Sequence, residues 1–246
     1  MAEVKKQKKM PRKKATKRQK MDWFAAYVFI APVTIGLFAF YIWPFFQNLW
    51  FSFNDVNKFN VSHFVGLENY KNILTDMTIW RSFGNTLKYV VITVPVGLFF
   101  SIVLAALLNA GIKGKSLYRT LYFLPSVTMS AAVAMVWKWV FNEQMGILNS
   151  FIKKLGGTGH NWLTDPHTAL YMIMIVGLWM SVGYNMIILL AGIQGISKSY
   201  YEAAAIDGAT AIDQFFHITM PMLTPSIFFV TITSIIDGFQ VFDTIY

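Results

Sequence analysis

The sequence predicts an all-α membrane protein, a polytopic bundle of five transmembrane helices. Of its 246 residues, 55% are hydrophobic and only 13% are charged, whereas soluble domains carry about 25% charged residues. About 20 apolar residues span the hydrocarbon core of a bilayer, so a stretch without charges can hold one helix. Five stretches contain no Asp, Glu, Lys or Arg, and they lie between Asp22 and Asp55, Lys88 and Lys113, Arg119 and Lys138, Asp165 and Lys198, and Asp213 and Asp237.

The apolar stretches predict the helices in chain order. Proline costs little in the first turn of a helix, and interior prolines are tolerated where neighbouring helices satisfy the freed carbonyl groups. The prolines in these stretches therefore favour a packed bundle over isolated anchors. The predicted spans are 23–46, interrupted by Pro32 and closed near Pro44; 86–108 with Pro95; 121–140 with Pro125; 169–193; and a fifth that begins near Ile218, with Pro221 and Pro225 in its first turns. Residues 146–155 predict a short helix on the membrane surface.

The basic residues predict a cytoplasmic N-terminus and a multi-pass protein of the cytoplasmic membrane. Residues 1–20 hold ten of the 21 Lys and Arg residues and one acid, so the rest of the chain has no net charge. Lys and Arg concentrate on the cytoplasmic side of membrane proteins. With the tail inside, the segments 1–22, 109–120 and 194–217 carry 14 Lys and Arg, against five in the outer segments 47–85 and 141–168. We interpret the tail as a solvated orientation signal, with attraction to anionic lipid as the alternative.

Several kinds of catalytic and metal site are excluded by composition and spacing. The chain has no cysteine, so it has no disulfide, thiolate nucleophile or zinc–thiolate site. Its four histidines lack metal-ligand spacing to one another or to a carboxylate. Gly114, Lys115 and Ser116 resemble the end of a phosphate-binding loop, but that motif needs a glycine where Asn109 stands. We expect no catalytic residue, no metal and no cofactor bound by this chain.

The connector after the fourth span, SKSYYEAAAIDGATAIDQFFHITMPML (197–223), has the pattern of a helix pair. Ser199 and Glu202 have the spacing of a capping box, and the three alanines that follow are strong helix formers with little bulk. Gly208 permits a sharp change of direction, after which Ala209–Phe216 predicts a second short helix. Such a narrow helix suits close approach by another protein, although a connector that binds nothing also fits this pattern.

Polar residues within the fourth and fifth spans are candidates for a solute path. They are Asn185, Thr231, Thr233 and Ser234, with Asp237 as a charged acceptor near the outer end. Intramembrane polar groups are costly and tend to face the bundle interior, where they bind a solute or join helices by hydrogen bonds. Both interpretations stay open at this point. We select Asn185 and Ser234 as the candidate solute contacts.

The connector resembles the EAA signature of type I ABC importer permeases in Glu202-Ala203-Ala204, Asp207-Gly208-Ala209 and Ile218-Thr219-Met220-Pro221. The resemblance extends over nearly the whole chain and is strongest to the carbohydrate-uptake branch, which includes maltose, lactose and glycerol phosphate permeases. It implies a basic tail at 1–22, an importer transmembrane domain over 23–246 and a coupling loop at 197–221. The similar stretches are FVGLENY (64–70), WRSFGNT (80–86), YRTLYFLP (118–125), VWKWVFN (136–142), WLTDP (162–166) and FQVFD (239–243).

The resemblance also implies a division of labour between subunits. In the family, the EAA loop docks into a groove on a separate ATPase subunit, and that subunit binds the ATP. The implied partners are ABC ATPase subunits, a second permease, an extracellular or periplasmic solute-binding protein and the lipid bilayer. Carried over, the ATPase-coupling residues are Glu202, Ala203, Ala204, Asp207 and Gly208, with Ile218 and Pro221 joining the loop to the fifth span. The implied cargo is a sugar; a polyamine, phosphate or amino acid, or a scaffold without transport, are the alternatives.

Two departures from the family pattern accompany the resemblance. Met220 stands where the family usually has leucine, and because the two side chains have similar volumes we expect little effect. Family members have a further loop and a sixth span after the FQVFD stretch. The resemblance therefore implies that the sequence lacks one helix of the family, with a natural five-span variant as the alternative.

Overall fold

A computed structural model describes residues 16–56 and 62–241 of the chain. Within these residues, four helical segments are long and apolar enough to cross a membrane, and a sharply bent helix pair supplies a fifth candidate span. The predicted all-α membrane fold is therefore confirmed. The four segments are Lys17–Phe51, Met77–Asn109, Ala169–Gln194 and Ala211–Phe239. The chain divides after Met77 into two compact units, and the basic residues before Thr16, Lys58 and the end of the FQVFD stretch lie outside the described residues.

The first unit begins with a nearly continuous helical segment, formed by α1 (Lys17–Leu37), a π-helical turn (Phe38–Ile42) and α2 (Trp43–Phe51). The Thr16 hydroxyl accepts from the amide of Gln19, whose side chain accepts from the Thr16 amide in return, so the helix starts before the predicted residue 23. The prediction that the helix closes near Pro44 is wrong. Pro44 lies in the first turn of α2, where its missing N–H costs little, so the helix continues past it.

A small hairpin and a short helix complete the first unit. Strands β1 (Asn54–Val56) and β2 (Ser62–Phe64) pair antiparallel, with Asp55 opposite His63, and α3 spans Glu68–Thr75. The Asn69 side-chain amide donates to the carbonyl oxygens of Ser52 and Asn54, each at 3.0 Å. This asparagine of the FVGLENY stretch therefore ties the start of the hairpin to α3.

Three long helices form the core of the second unit: α4 (Met77–Asn109), α8 (Ala169–Gln194) and α11 (Met220–Phe239). The fourth span thus ends within one residue of the prediction, but α4 begins nine residues before the predicted Thr86. Apolar residues mark only the hydrocarbon-depth part of a helix, and a helix with polar first turns extends beyond it. The buried core is contributed by all three helices, and its members include Ala105, Leu108, Met186, Leu189, Leu190, Leu223 and Val230.

The predicted single helix over 121–140 is wrong. The structure has α5 (Lys115–Val127) and α6 (Ser130–Val140), which meet at a 98° bend. Pro125 lies in the last turn of α5, and Thr128 is extended with ψ 141°. The Ser126 hydroxyl donates to the carbonyl of Phe123 at 2.7 Å, and the Thr128 hydroxyl donates to that of Leu124 at 2.8 Å. These side chains satisfy carbonyl groups that the end of a helix leaves without intrahelical partners.

The segment between the bent pair and α8 is an ordered loop built around one buried asparagine. The short helix predicted at 146–155 is confirmed as α7 (Ile147–Lys154); its position on the membrane surface stays a prediction. The Asn149 side chain is fully buried and donates to the carbonyl oxygens of Asn142, Glu143 and His160, while its oxygen accepts from the His160 amide and the Trp162 indole. One side chain therefore fixes three stretches of the loop.

Candidate functional site

A cavity of about 440 Å³ lies between α4, α8 and α11. Cavities of roughly 300–1,000 Å³ hold small organic ligands. Thr93 and Ser181, which line it, lie at the middle of α4 and α8, so the cavity lies at mid-depth of these two helices. Its polar lining consists of hydroxyl and amide groups and one carboxylate, from Tyr89, Thr93, Ser126, Ser130, Ser181, Tyr184, Asn185, Ser234, Asp237 and Gln240.

The break between α5 and α6 opens onto this cavity. Ser126, in the last turn of α5, and Ser130, the first residue of α6, both line it. Non-helical backbone at membrane depth is tolerated only where it is buried in protein or lines a cavity, and discontinuous helices line the midplane binding sites of transporters. Sequence reasoning missed both serines because the break was interpreted as straight helix. The polar run PSVTMS after Leu124 was the available signal.

Asn185 and Ser234, the two selected candidates, meet at the cavity wall. The Asn185 side-chain amide donates to the Ser234 hydroxyl at 3.1 Å, and both residues line the cavity. The pair therefore joins α8 to α11 and also presents polar atoms to the cavity. The hydroxyls of Thr231 and Thr233 instead donate to backbone carbonyl groups of their own helix, and neither threonine lines the cavity.

Glycines in the helices give the cavity its shape. A Cβ at Gly177 would overlap the hydroxyl oxygen of Tyr89, so the absence of a side chain there lets this buried tyrosine lie against α8. Below it, the buried Ser101 hydroxyl lies within hydrogen-bond distance of the Gly97 carbonyl at 2.7 Å and the Val182 carbonyl at 3.1 Å. The cavity is thus framed by α4 and α8, which are joined by a polar contact.

The connector between α8 and α11 forms the predicted helix pair. Helix α9 spans Lys198–Ile206, Gly208 turns the chain with φ +82°, and α10 spans Ala211–Gln214. A π-helical turn, Phe215–Thr219, then continues α10 into α11. The fifth span therefore begins at residue 211 rather than near Ile218. Ile218 lies within the π-helical turn and Pro221 in the first turn of α11, so both lie where the connector joins the span.

The capping box predicted for Ser199 and Glu202 is wrong. Ser197 caps α9, with its hydroxyl accepting from the Ser199 amide at 3.4 Å. The extended backbone of Ser197 starts the helix one residue later, at Lys198, so Ser199 is already inside it and cannot act as its cap. Glu202 is exposed, and its carboxylate forms no hydrogen bond or ion pair with any described residue.

A capping box does occur at the second helix of the connector. The Asp213 carboxylate accepts from the amide of Thr210 at 2.9 Å and from its hydroxyl at 2.6 Å. The sequence analysis missed this cap, although threonine three residues before an acid is its usual signal.

Much of the surface of the connector is exposed to solvent, and part of this exposed surface is apolar. Glu202, Ala203, Asp207 and Gly208 are exposed and Ala204 is half-buried. Ile206 lies between them with 87% of its surface accessible, the largest value among the large hydrophobic side chains of the described residues. Ile212 is a further exposed isoleucine on the connector, at 69%.

One side-chain contact ties α9 back to the start of α11. The Tyr201 hydroxyl lies 2.9 Å from the hydroxyl of Thr219, which is buried and also donates to the Gln214 carbonyl at 3.4 Å. Thr219 belongs to the π-helical turn, a feature frequent at functional sites. Neither residue was selected from the sequence, because the bond crosses 18 residues and no local pattern predicts it.

The fold and these two features define a class: a multi-pass helical membrane protein with a mid-depth cavity and a helix-pair connector. A model of the family described as "Binding-protein-dependent transport system inner membrane component" matches residues 97–246. The chain belongs to this family of transport permease subunits.

Curated relatives match along most of the chain. It is 36% identical over 236 residues to the "Probable ABC transporter permease protein YesP" of Bacillus subtilis (strain 168), covering 95% of this chain and 76% of that protein. It is 34% identical over 224 residues to the "Arabinooligosaccharides transport system permease protein AraP" of the same strain, covering 90% and 71%. The "sn-glycerol-3-phosphate transport system permease protein UgpA" of Pectobacterium atrosepticum is 34% identical over 219 residues, covering 89% and 73%.

A solved structure shares the fold. The crystal structure of a bacterial ABC transporter involved in the import of the acidic polysaccharide alginate matches with a TM-score of 0.80 and 23% identity, covering 92% of this chain and 76% of that one. The predicted resemblance to type I ABC importer permeases is therefore confirmed in both family and fold.

Proposed function

We propose that this chain is the permease subunit that passes a sugar across the cytoplasmic membrane in an ATP-driven importer. The observation that supports this cargo is the mid-depth cavity, whose polar lining is almost entirely hydroxyl and amide. Such groups both donate and accept hydrogen bonds, as do the hydroxyl groups of a sugar. The name of one relative specifies arabinooligosaccharides, which are sugars, and that of another specifies glycerol phosphate, a polyol phosphate that also carries hydroxyl groups. Asn185 and Ser234 are the proposed contacts.

The connector, at 197–221, is the proposed docking element for a separate ATPase. Its exposed residues Glu202, Ala203, Asp207 and Gly208, with Ala204 beside them, would contact that subunit. The carboxylate of Glu202 is available because the helix cap is supplied by Ser197, and Ile206 offers an apolar anchor. ATP is bound and hydrolysed by the ATPase, while this chain binds no cofactor and catalyses no reaction. A cytoplasmic N-terminus places the connector on the side of the membrane where ATP is present.

Helix geometry links the docking element to the cavity. The helical segment Ala211–Phe239 is continuous over 29 residues, roughly 43 Å at 1.5 Å per residue. It starts inside the connector and ends with Ser234 and Asp237 at the cavity. A displacement imposed on the connector therefore reaches the cavity wall through one continuous helical segment. This is the physical basis proposed for alternating access, with a second permease completing the pathway and an external solute-binding protein delivering the sugar.

Reconstitution tests the proposed function. We expect purified complex in proteoliposomes, containing this chain, a second permease, the ATPase and the solute-binding protein, to accumulate a labelled sugar only when ATP is supplied on the ATPase side. Sugars should be accumulated in preference to a polyamine, phosphate or an amino acid. Uptake that is independent of ATP, or a preference for one of the non-sugar solutes, would contradict the proposal.

The bond between Tyr201 and Thr219 leads to a prediction about coupling. Tyr201→Phe and Thr219→Val each remove one hydroxyl and keep the shape of the side chain. Because a neutral hydrogen bond contributes about 1 kcal/mol, we expect the amount of sugar moved per ATP hydrolysed to fall about fivefold, with ATP hydrolysis itself retained. The double variant should fall no further than Thr219→Val alone, because that substitution already removes the bond to Tyr201 together with the longer one to the Gln214 carbonyl.

The neighbouring tyrosine provides a matched control. Tyr200 is exposed, and its hydroxyl forms no hydrogen bond with a described residue, so Tyr200→Phe should leave the ratio of transport to hydrolysis unchanged. An unchanged ratio in Tyr201→Phe, or a double variant that loses clearly more than Thr219→Val alone, would show that the bond does not transmit motion.

A further inference from the structure

We infer that the cavity is selective for uncharged sugars over anionic ones and that Asp237 sets this preference. The inference rests on the proposed function, because it assumes that a sugar enters this cavity. It adds the charge of the cargo, which membership of the family does not decide. One relative is named for sn-glycerol 3-phosphate and the structural neighbour for an acidic polysaccharide, so permeases with this fold serve anionic cargo as well.

The charges of the lining residues give the first argument. Among the described residues that line the cavity, Asp237 is the one with a formal charge, and none is Lys, Arg or His. Recognition of phosphate or carboxylate in proteins relies on such cations, above all on the paired N–H groups of arginine. An anionic sugar would find none of them here and would lie beside a carboxylate of its own sign.

The position of Asp237 gives the second argument. It follows Ser234 by three residues on α11, so the two side chains lie on one face of the helix, and Ser234 is the residue bonded to Asn185. The side chain of Asp237 is exposed, and its carboxylate forms no hydrogen bond or ion pair with any described residue. It is therefore free to accept hydrogen bonds from a ligand that also reaches the Asn185–Ser234 pair.

The partial charges at the helix ends near the cavity do not reverse the negative electrostatic potential that Asp237 produces there. The C-terminus of α11 lies two residues beyond Asp237 and contributes a partial negative charge. At the break, the C-terminus of α5 and the N-terminus of α6 meet, and their partial charges are of opposite sign and similar size. The contributions at the break largely cancel, which leaves the carboxylate and the end of α11 to determine a negative potential.

The same carboxylate favours an uncharged sugar. A hydroxyl that donates to a carboxylate forms a charge-assisted bond, stronger than a bond between neutral groups. Neutral sugars offer only hydroxyl donors of this kind, whereas a uronate or phosphorylated sugar adds a repulsive charge. Two like charges about 6 Å apart in a partly hydrated cavity weaken binding about tenfold, so we expect a preference of that size.

The inference is tested by measuring how tightly sugars bind to the complex of both permeases and the ATPase. The solute-binding protein is left out because it selects among sugars itself. The probes are pairs of oligosaccharides of equal length, in which one member carries CH₂OH groups and the other carries COO⁻ groups at the same positions. We expect the complex in lipid nanodiscs to bind the neutral sugar about tenfold more tightly than the uronate. Asp237→Asn should reduce that ratio to about one, and added salt should reduce it in the wild type but not in the variant.

The matched control is Glu143→Gln, which removes an acid that is exposed and outside the cavity lining; its ratio should equal the wild-type value. Equal or tighter binding of the uronate by the wild type, or an Asp237→Asn variant with an unchanged ratio, would each overturn the inference while leaving sugar transport intact. Failure of every sugar to bind or to be accumulated would instead overturn the proposed function, and the inference with it.

Discussion

Gly183→Leu is expected to leave no detectable folded permease, and Gly183→Ala to destabilise it by about 3 kcal/mol or more. A Cβ at position 183 would overlap the carbonyl oxygen of Tyr122, and Phe123 Cα would lie 3.1 Å away. Both neighbours belong to the backbone of α5, so no side chain can rotate to make space. The whole of α5 would have to move away from α8. Overpacking of even flexible sites costs about 1–3 kcal/mol, and close approach of membrane helices depends on small residues at the interface.

Gly84→Ala is the control for this prediction. Gly84 also lies inside a long helix, α4, but a Cβ there meets nothing within 4 Å. Alanine is the better helix former by about 1 kcal/mol, so this variant should be as stable as the wild type or slightly more so. Thermal unfolding of purified protein in one detergent measures both variants. If Gly183→Ala unfolds at the wild-type temperature, the close contact between the backbone of α5 and Gly183 of α8 is contradicted.

Ile206→Asp is expected to reduce ATP-dependent sugar uptake by about 100-fold. Ile206 is the most exposed large apolar side chain of the described residues, and it lies on the proposed docking surface. Central apolar anchors of protein interfaces contribute roughly 2–4 kcal/mol, and an aspartate would in addition bring a charge into a desolvated contact. The loss should appear as failure of the ATPase to co-purify with the permease, because the variant changes an exposed side chain and should not disturb the fold.

Ile112→Asp is the matched control for the docking prediction. Ile112 is a 40% exposed isoleucine in the connection between α4 and α5, which the topology predicted from the sequence assigns to the cytoplasmic side. It should retain the ATPase and most of the uptake. Normal uptake by Ile206→Asp, or equal losses from both variants, would show that the α9 surface is not the specific contact.

Sequence predicted the number of membrane segments well and their ends poorly. Stretches without charged residues correctly located the four long apolar helices, because a charge at the centre of a bilayer is costly, but the stretch at 121–140 is a bent helix pair rather than one helix. Helix ends depend instead on caps and on polar turns outside the hydrocarbon, which hydropathy does not detect. Thr16 starts α1 early and Thr210 starts the last helical segment early, each through a capping box.

The candidate site was predicted in part, for reasons that differ between residues. Asn185 and Ser234 were selected because each is a polar group in an apolar span, and they prove to be bonded at a cavity. Ser126 and Ser130 were missed because a proline near the end of α5 is as compatible with a kinked span as with a broken one. Tyr201 and Thr219 were missed because their bond depends on how the connector folds back on itself.

Helix α11 unites the two sites that were recognised separately. Its segment begins at the connector, where an ATPase is proposed to dock, and ends at the cavity, where Asp237 is inferred to select for uncharged sugars. The cavity-lining serine thus belongs to the same continuous helical segment that begins directly after the capping threonine. The proposed coupling between the connector and the cavity depends on this continuity.

The side of the membrane on which α9 lies is the most direct test of coupling to a cytoplasmic ATPase. The chain has no native cysteine, so Ala205→Cys introduces a single reactive thiol on the connector. Thr158→Cys does the same in the loop between α7 and α8. With a membrane-impermeant maleimide, we predict that Cys at 205 reacts only from the cytoplasmic side and is protected when the ATPase is bound, while Cys at 158 reacts from outside intact cells. Labelling of position 205 from outside intact cells would contradict a connector that a cytoplasmic ATPase moves.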